Sequence, residues 1–351
     1  MTPDAAAARR KLYVDAAITY GYIVLWIGLS AGVILINKYI LGYGGFPFPV
    51  ALTMVHMALC SSLAFLLIKA GVVPTIQMEN EMYYKNVVPI AALFAGTLWL
   101  GNAAYVYLSV SFIQMIKATM PAAVFSVGIL LGTEKYSHKY ALTLAVVTVG
   151  VATASYGEIA FNLIGFLFQS GSIVTESFRL CLIQLLLQAR GIKLNPVTTL
   201  YYIAPPCFLF LCPPFLVLEA PRMLNTADVE VPYNWLLLSS VVAFALNMSV
   251  FLLIGRSSAL TMNLAGVIKD WMLIGLSVLL YGSSVTPIQL GGYLVAFGGV
   301  TFYNYLKMQQ ASQALAAQQQ QQQAQAQASG DEEKQALLSG AEQNANSSGD
   351  K

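Results

Sequence analysis

Ser111 to Pro121 reads S-F-I-Q-M-I-K-A-T-M-P and sets Lys117 inside an apolar run long enough to cross a bilayer. A second lysine, Lys269, repeats the arrangement downstream in N-L-A-G-V-I-K-D-W at 263–271. An unpaired lysine at the centre of a membrane helix costs roughly 2.5 to 3.5 kcal/mol on insertion scales. Snorkelling or an internal ion pair is the plain alternative for either residue. Two of them, each well inside its run and in the corresponding half of the chain, point instead to one shared cavity.

The rest of the composition agrees with a membrane setting. Apolar residues make up 57% of the 351 and charged residues 10%, and mean hydropathy is +0.66. That is too hydrophobic for a soluble domain, and the apolar runs reach the ~20 residues a spanning helix needs. Cys60, Cys181, Cys207 and Cys212 fall in apolar segments without metal-ligand or CxxC spacing, as packing residues do.

Residues 1–17 form a short polar, alanine-rich segment with Arg9, Arg10 and Lys11 ahead of the first span. The run from Ile18 to Ile40 is too long for a signal-peptide core, so targeting by an uncleaved first helix is expected. Ten spans follow, at 18–40, 50–69, 86–108, 111–132, 139–156, 161–188, 198–218, 234–254, 258–281 and 287–307. The tightest joins are between the third and fourth and between the eighth and ninth. Gly42–Pro49 and Leu218–Pro232 read as loops. Lys69, Lys85, Lys135, Lys139, Arg190, Lys193, Arg256 and Lys307 then share the side of Arg9 to Lys11. Lys38 and Arg222 fall toward the other side, so the positive-inside rule places both termini in the cytosol.

The two halves echo each other. Asn102 precedes Lys117 by fifteen residues and Asn247 precedes Lys269 by twenty-two, each with an Asn-bearing span, a short turn and a Lys-bearing span. Five spans per half is odd, so equivalent halves insert with opposite topology. The expected fold is an all-α polytopic membrane protein of ten transmembrane helices in two inverted five-helix repeats, 18–156 and 161–307. In such proteins the substrate site lies near the midplane at the repeat interface.

The stretches Y-V-Y-L-S-V-S-F-I-Q-M-I-K-A-T-M-P at 105–121 and S-A-L-T-M-N-L-A-G-V-I-K-D-W at 258–271 resemble the nucleotide-sugar transporter and triose-phosphate translocator family of the drug/metabolite transporter superfamily. The Lys269–Asp270 pair and G-I-K-L-N-P at 191–196 are similar to its plant KD branch. That branch includes UDP-arabinofuranose transporters of the Golgi. The resemblance implies strict exchange by alternating access, a UDP-sugar moving into the lumen against a nucleoside monophosphate such as UMP. It also implies a Golgi membrane, with the endoplasmic reticulum or another endomembrane as the alternative.

The residues support phosphate as the ligand, because two ammonium groups in a low-dielectric wall attract it strongly. Where triose-phosphate translocators carry an arginine after the second lysine, this chain has Asp270. The formal charge of the three positions is then +1 against +3 in those relatives. This favours a larger, hydroxyl-rich nucleotide sugar, whose hydroxyls a carboxylate can accept. Equally, Asp270 can face a neighbouring helix. Gln114 shares the helix face of Lys117 and either reaches substrate or holds the lysine. Asn102 and Asn247 either line the cavity or bond between helices. Tyr105, one turn from Asn102, can stack on uracil or serve as an interfacial aromatic. Asn263 reads as structural.

Glu176 and Arg179 are spaced to pair within one helix, either as a neutralised buried ion pair or as a gate. His56 reads as a core histidine and His138 as part of a charged turn, so no metal site emerges. No Walker sequence, nucleophile elbow or HExxH helix is present, and neither enzymatic activity, a cofactor nor a nucleic-acid partner is expected. Residues 308–351 are Gln/Ala-rich, then acidic, and read as a flexible cytosolic tail. Leu337–Leu338 within it fits an acidic dileucine signal for a sorting adaptor, and the sequon at Asn346 would stay unmodified in the cytosol.

The sequence thus points to a nucleotide-sugar/UMP antiporter. A sugar-phosphate/phosphate translocator is the competing transport reading, and a non-transporting membrane receptor or scaffold the reading of another class.

Overall fold

The computed structural model describes residues 3–73, 78–190, 196–225, 230–254 and 259–313, with residues 316, 320 and 321. Leu337–Leu338 and Asn346 lie outside the described residues. Among the described residues all regular structure is helical. The helices are α1 (Pro3–Gly42), α2 (Pro49–Lys69), α3 (Asn80–Tyr107), α4 (Val110–Leu130), α5 (His138–Tyr156), α6 (Leu163–Arg190), α7 (Val197–Asn225), α8 (Tyr233–Ile254), α9 (Ala259–Tyr281) and α10 (287–313). The chain forms two compact units, Met1–Gly298 and Gly299–Lys351; everything below concerns the first.

Among the described residues seven helices, α1 to α5, α7 and α8, are long and apolar enough to cross a membrane. Large apolar side chains such as Val24, Leu66, Leu130, Leu142, Leu209 and Leu237 point outward, which is where lipid replaces water as their solvent. The chain is a polytopic membrane protein.

Three expectations need correcting at their boundaries. The segment from Leu218 was expected as loop, yet helix continues through a π-helical turn, Phe215–Glu219, and then Ala220–Asn225. Glu219 anchors it there: its two carboxylate oxygens accept from Val50 and Ala51 N–H, both at 2.8 Å, at the start of α2. These amides have no intrahelical partner, and the helix dipole favours an anion beside them. The third helix begins earlier than position 86, with Asn80–Met82 and a second π-helical turn at Tyr83–Val87.

The third correction concerns 111–132, which is not one continuous helix. It runs as Val110–Lys117 and Met120–Leu130 with a break at Ala118–Thr119. Pro121 lacks the N–H that would bond the Lys117 carbonyl, and its ring crowds that carbonyl. The chain answers with tighter i→i+3 bonds, Ala118 N to Met115 O at 3.1 Å and Thr119 N to Ile116 O at 3.0 Å. Before the break, the Ser109 hydroxyl accepts from Phe112 N at 3.2 Å and caps the first half.

Helix pairing follows small residues. A Cβ on Gly101 of α3 would stand 3.1 Å from Ser172 Oγ of α6, so those helices lie close along their length. α5 and α10 cross still more tightly: a Cβ on Gly150 would stand 2.5 Å from Ala296 N, and one on Gly292 2.4 Å from Ala154 N. Backbones can approach so closely only where side chains are absent. At the end of this crossing, Gln289 donates to the buried Glu158 carboxylate. Burial holds that carboxyl above its usual range despite the donated bond.

One end of the bundle is sealed. Phe46, Phe48, Leu108, Val110, Phe112 and Ile113 form a buried cluster there. Lys38 of α1, 7% exposed, donates to the Tyr105 and Leu108 carbonyls at 2.8 Å each, where α3 ends. Tyr281 donates to Leu35 O at 2.7 Å, its ring stacked on Tyr43 at 5.0 Å.

Candidate functional site

Beneath the sealed end lies a cavity of about 480 Å³, walled by α1, α2, α3, α4, α6, α7 and α8. Lys117 enters it from the last position of the first half of α4. The break ends the first half so that the lysine stands at its C-terminus. Among the described residues no hydrogen bond or ion pair engages this ammonium. Asp270 and Glu176 are the carboxylates whose charges reach it.

Among the apolar residues that α1, α2, α3 and α8 give to the lining stands a set of uncharged polar side chains. Asn102 Nδ2 donates to Thr53 Oγ1 at 2.9 Å and its Oδ1 accepts from Asn37 Nδ2 at 3.2 Å. Asn37 Oδ1 in turn accepts from Ser239 Oγ at 2.5 Å, and that hydroxyl meets His56 Nε2 at 3.1 Å. The chain of bonds ties α1, α2, α3 and α8 together, with four of its five members facing the cavity. Asn247 faces the cavity from α8 and donates back to Ala243 O at 2.8 Å, which leaves its carbonyl for another partner.

From α6 come Gln169, Ser172 and Glu176. Gln169 is 1% exposed and its Oε1 has no hydrogen-bond partner. Glu176 is gripped by Arg179 through Nε at 2.7 Å and a second guanidinium nitrogen at 2.5 Å, and Arg179 lies over the Phe94 ring at 5.0 Å. The carboxylate at the cavity wall is thereby neutralised.

Tyr105 completes the wall. The charges of Lys269 and Asp270 reach its phenol, and Gln114 lies beside it. Lys269 Nζ is 3.4 Å from Asp270 Oδ1 and 5.7 Å from the Trp26 ring centre. Gln114 is fully enclosed, and neither of its amide atoms meets a partner at hydrogen-bonding geometry.

The profile of the triose-phosphate transporter family matches residues 18–304. This chain belongs to that family. Similar proteins from Arabidopsis thaliana carry the name "Probable sugar phosphate/phosphate translocator". One is 48% identical over 86% of this chain and 87% of its own length. A second is 49% identical over 83% and 84%, and a more distant one is 31% identical over 82% and 95%.

In this triose-phosphate transporter family member, five residues singled out from sequence, Lys117, Asn102, Asn247, Tyr105 and Glu176, line one cavity. Lys269, Asp270, Gln114 and Arg179 are not in its lining; the first three interact with Tyr105, and Arg179 pairs with Glu176. Asn102 bonds between helices while it faces the cavity, so its two readings are compatible. His56 is a satisfied core histidine that also faces the cavity. Asn37, Thr53, Gln169 and Ser172 were not anticipated. Gln169, Ser172 and Glu176 have the i, i+3, i+7 spacing of one helix face, a signal that would have found them. Asn37 and Thr53 are polar residues in apolar runs and have no such pattern.

Proposed function

We propose that this family member is an antiporter that exchanges a nucleotide sugar, UDP-arabinofuranose or another UDP-sugar, for UMP by alternating access. The observation that carries the reading is an unpaired lysine at a helix break, facing a largely apolar cavity into which a few amides and hydroxyls also point. Lys117 binds phosphate, and Asn102, Asn247 and Tyr105 meet the sugar and base. Lys269, Asp270 and Gln114 form a second layer that reaches the ligand when the helices around Tyr105 rearrange. Glu176 and Arg179 gate the cavity wall.

The working architecture is ten spans in two inverted repeats with both termini cytosolic, in the Golgi membrane. Helix pairing supports this. The packing of α3 on α6 and α7 is mirrored by that of α8 on α1 and α2, and the packing of α4 on α6 by that of α9 on α1. The pairs α2 with α7 and α4 with α9 each join a helix to its own counterpart.

A second reading has its own support, since the curated relatives carry a sugar phosphate/phosphate name. Proteoliposomes loaded with UMP, GMP, CMP or inorganic phosphate, offered a panel of nucleotide sugars and sugar phosphates, separate the two. Exchange of a UDP-sugar with internal UMP is the expected result. Exchange confined to phosphate-loaded vesicles and sugar phosphates would establish the second reading and discard the first.

A further inference from the structure

Gln169 of α6 carries a buried amide in the lining of the cavity. It is 1% exposed, and among the described residues its Oε1 meets no donor. A carbonyl buried without a partner bears its desolvation with no return, a penalty that an apolar residue at the same position would not carry. Packing alone therefore does not account for a glutamine here.

The hydroxyls around it have spent their protons. Ser172, one turn along the same helix, donates to Thr97 O at 2.8 Å. Thr53 donates to Pro49 O at 2.7 Å, and a carbonyl can only accept. That fixes the direction of every bond behind it. Thr53 Oγ1 accepts from Asn102, whose Oδ1 accepts from Asn37. Asn37 Oδ1 accepts from Ser239, and with its proton so used the Ser239 oxygen accepts from His56 Nε2. No hydroxyl proton of this chain of bonds is left for the cavity. Asn247 spends an amide N–H on Ala243 O at 2.8 Å, which makes its carbonyl a second spare acceptor. The cavity thus adds two spare carbonyls, Gln169 Oε1 and Asn247 Oδ1, to the Lys117 cation. Their complement is a molecule with a phosphate at one place and O–H or N–H donors at another.

We propose that Gln169 is a specificity-determining residue of this cavity, its side-chain carbonyl accepting a hydrogen bond from an O–H or N–H on the uncharged part of the substrate. The inference rests on the proposed reading of this cavity as the substrate site. Because Oε1 is already without a partner in the empty cavity, a donor brought by the ligand displaces no bond there, and its full worth appears as selectivity. A ligand of the same shape without that donor leaves the carbonyl as it was.

The test uses full-length protein in proteoliposomes loaded with unlabelled UMP, which take up radiolabelled UMP in exchange. Unlabelled UMP, 2′-deoxy-UMP, 3′-deoxy-UMP and 3-methyl-UMP are then compared as competitors. At least one of the three analogues is expected to compete about 5- to 100-fold more weakly than UMP. A deoxy analogue in that place identifies a ribose hydroxyl as the donor, and 3-methyl-UMP the imino N–H of the base. In Gln169→Met, which keeps the length of the side chain and removes the amide, that gap is expected to shrink about 5-fold or more, to the point where UMP loses its advantage. Three analogues each within about 5-fold of UMP in the natural protein, or a gap unmoved in Gln169→Met, overturns the inference alone. Absence of UMP exchange discards the proposed function and takes the inference with it. Gln169→Leu is the second amide-free variant and supplies the same comparison should Gln169→Met fail to insert.

Discussion

Lys117 combines two properties that a structural lysine does not: it faces a cavity, and it has no anionic partner among the described residues. Replacing it should therefore separate function from stability. Lys117→Gln is expected to lower exchange about 10- to 100-fold, the worth of one charge-assisted hydrogen bond of about 1.5–3 kcal/mol. Thermal stability of the solubilised protein, read by scanning fluorimetry, is expected to hold or rise, because the ammonium loses no bond and its burial cost disappears. A large stability loss with exchange intact would make Lys117 a structural residue. Legibility was uneven at this scale. Lys117 stood out because a charge in an apolar run has few bland explanations. The bonding of Asn102 did not, since its partners Asn37 and Thr53 lie 65 and 49 residues away, and separation along the chain says nothing about which amide meets which hydroxyl.

At the level of elements, two devices stand out: a proline break in the wall of the site and a glycine crossing between α5 and α10. Pro121 was visible in sequence, but an apolar run with a proline reads as one span until the carbonyl it orphans is located. The crossing of α5 and α10 was not legible at all, because glycine is common in membrane helices for several reasons. Its importance appears only when a neighbouring backbone lies within 3 Å of the missing Cβ. Gly150→Ala is expected to destabilise the protein by about 1–3 kcal/mol, the usual cost of overpacking. Gly275→Ala in α9 is the control, since nothing lies within 4 Å of its would-be Cβ. There a gain of about 0.5–1 kcal/mol from the better helix former is expected. Urea or thermal unfolding in detergent measures both, and equal effects at the two positions would contradict the close approach.

For the whole molecule, the proposed alternating access requires the sealed end to open. That end joins α4 to α9 where Ser111 N–H donates to Ser277 Oγ at 3.3 Å. A disulfide between Ser111→Cys and Ser277→Cys should hold it shut. Oxidation of the double variant is expected to reduce exchange more than about 10-fold, with recovery on adding reductant, since a cross-link across a moving interface removes one of its two states. Full activity in the oxidised, cross-linked protein would mean that this end does not move. The single variants and the reduced double variant serve as references.

What the sequence determined by itself was the class: a membrane-embedded helical transporter with a lysine in each half, because hydropathy, charge placement and motif are properties of short stretches. It also carried the family. Tertiary structure alone decided which lysine faces the cavity unpaired and which is held by a neighbouring carboxylate. A helix directs consecutive side chains about 100° apart, so Lys269 and Asp270 could have faced the same cavity, different neighbours or each other. Only the packing of α9 against α1 and α4 selected among these. The same holds for Lys117, where sequence supplied the charge and the break at Ala118–Thr119 supplied its exposure to the cavity.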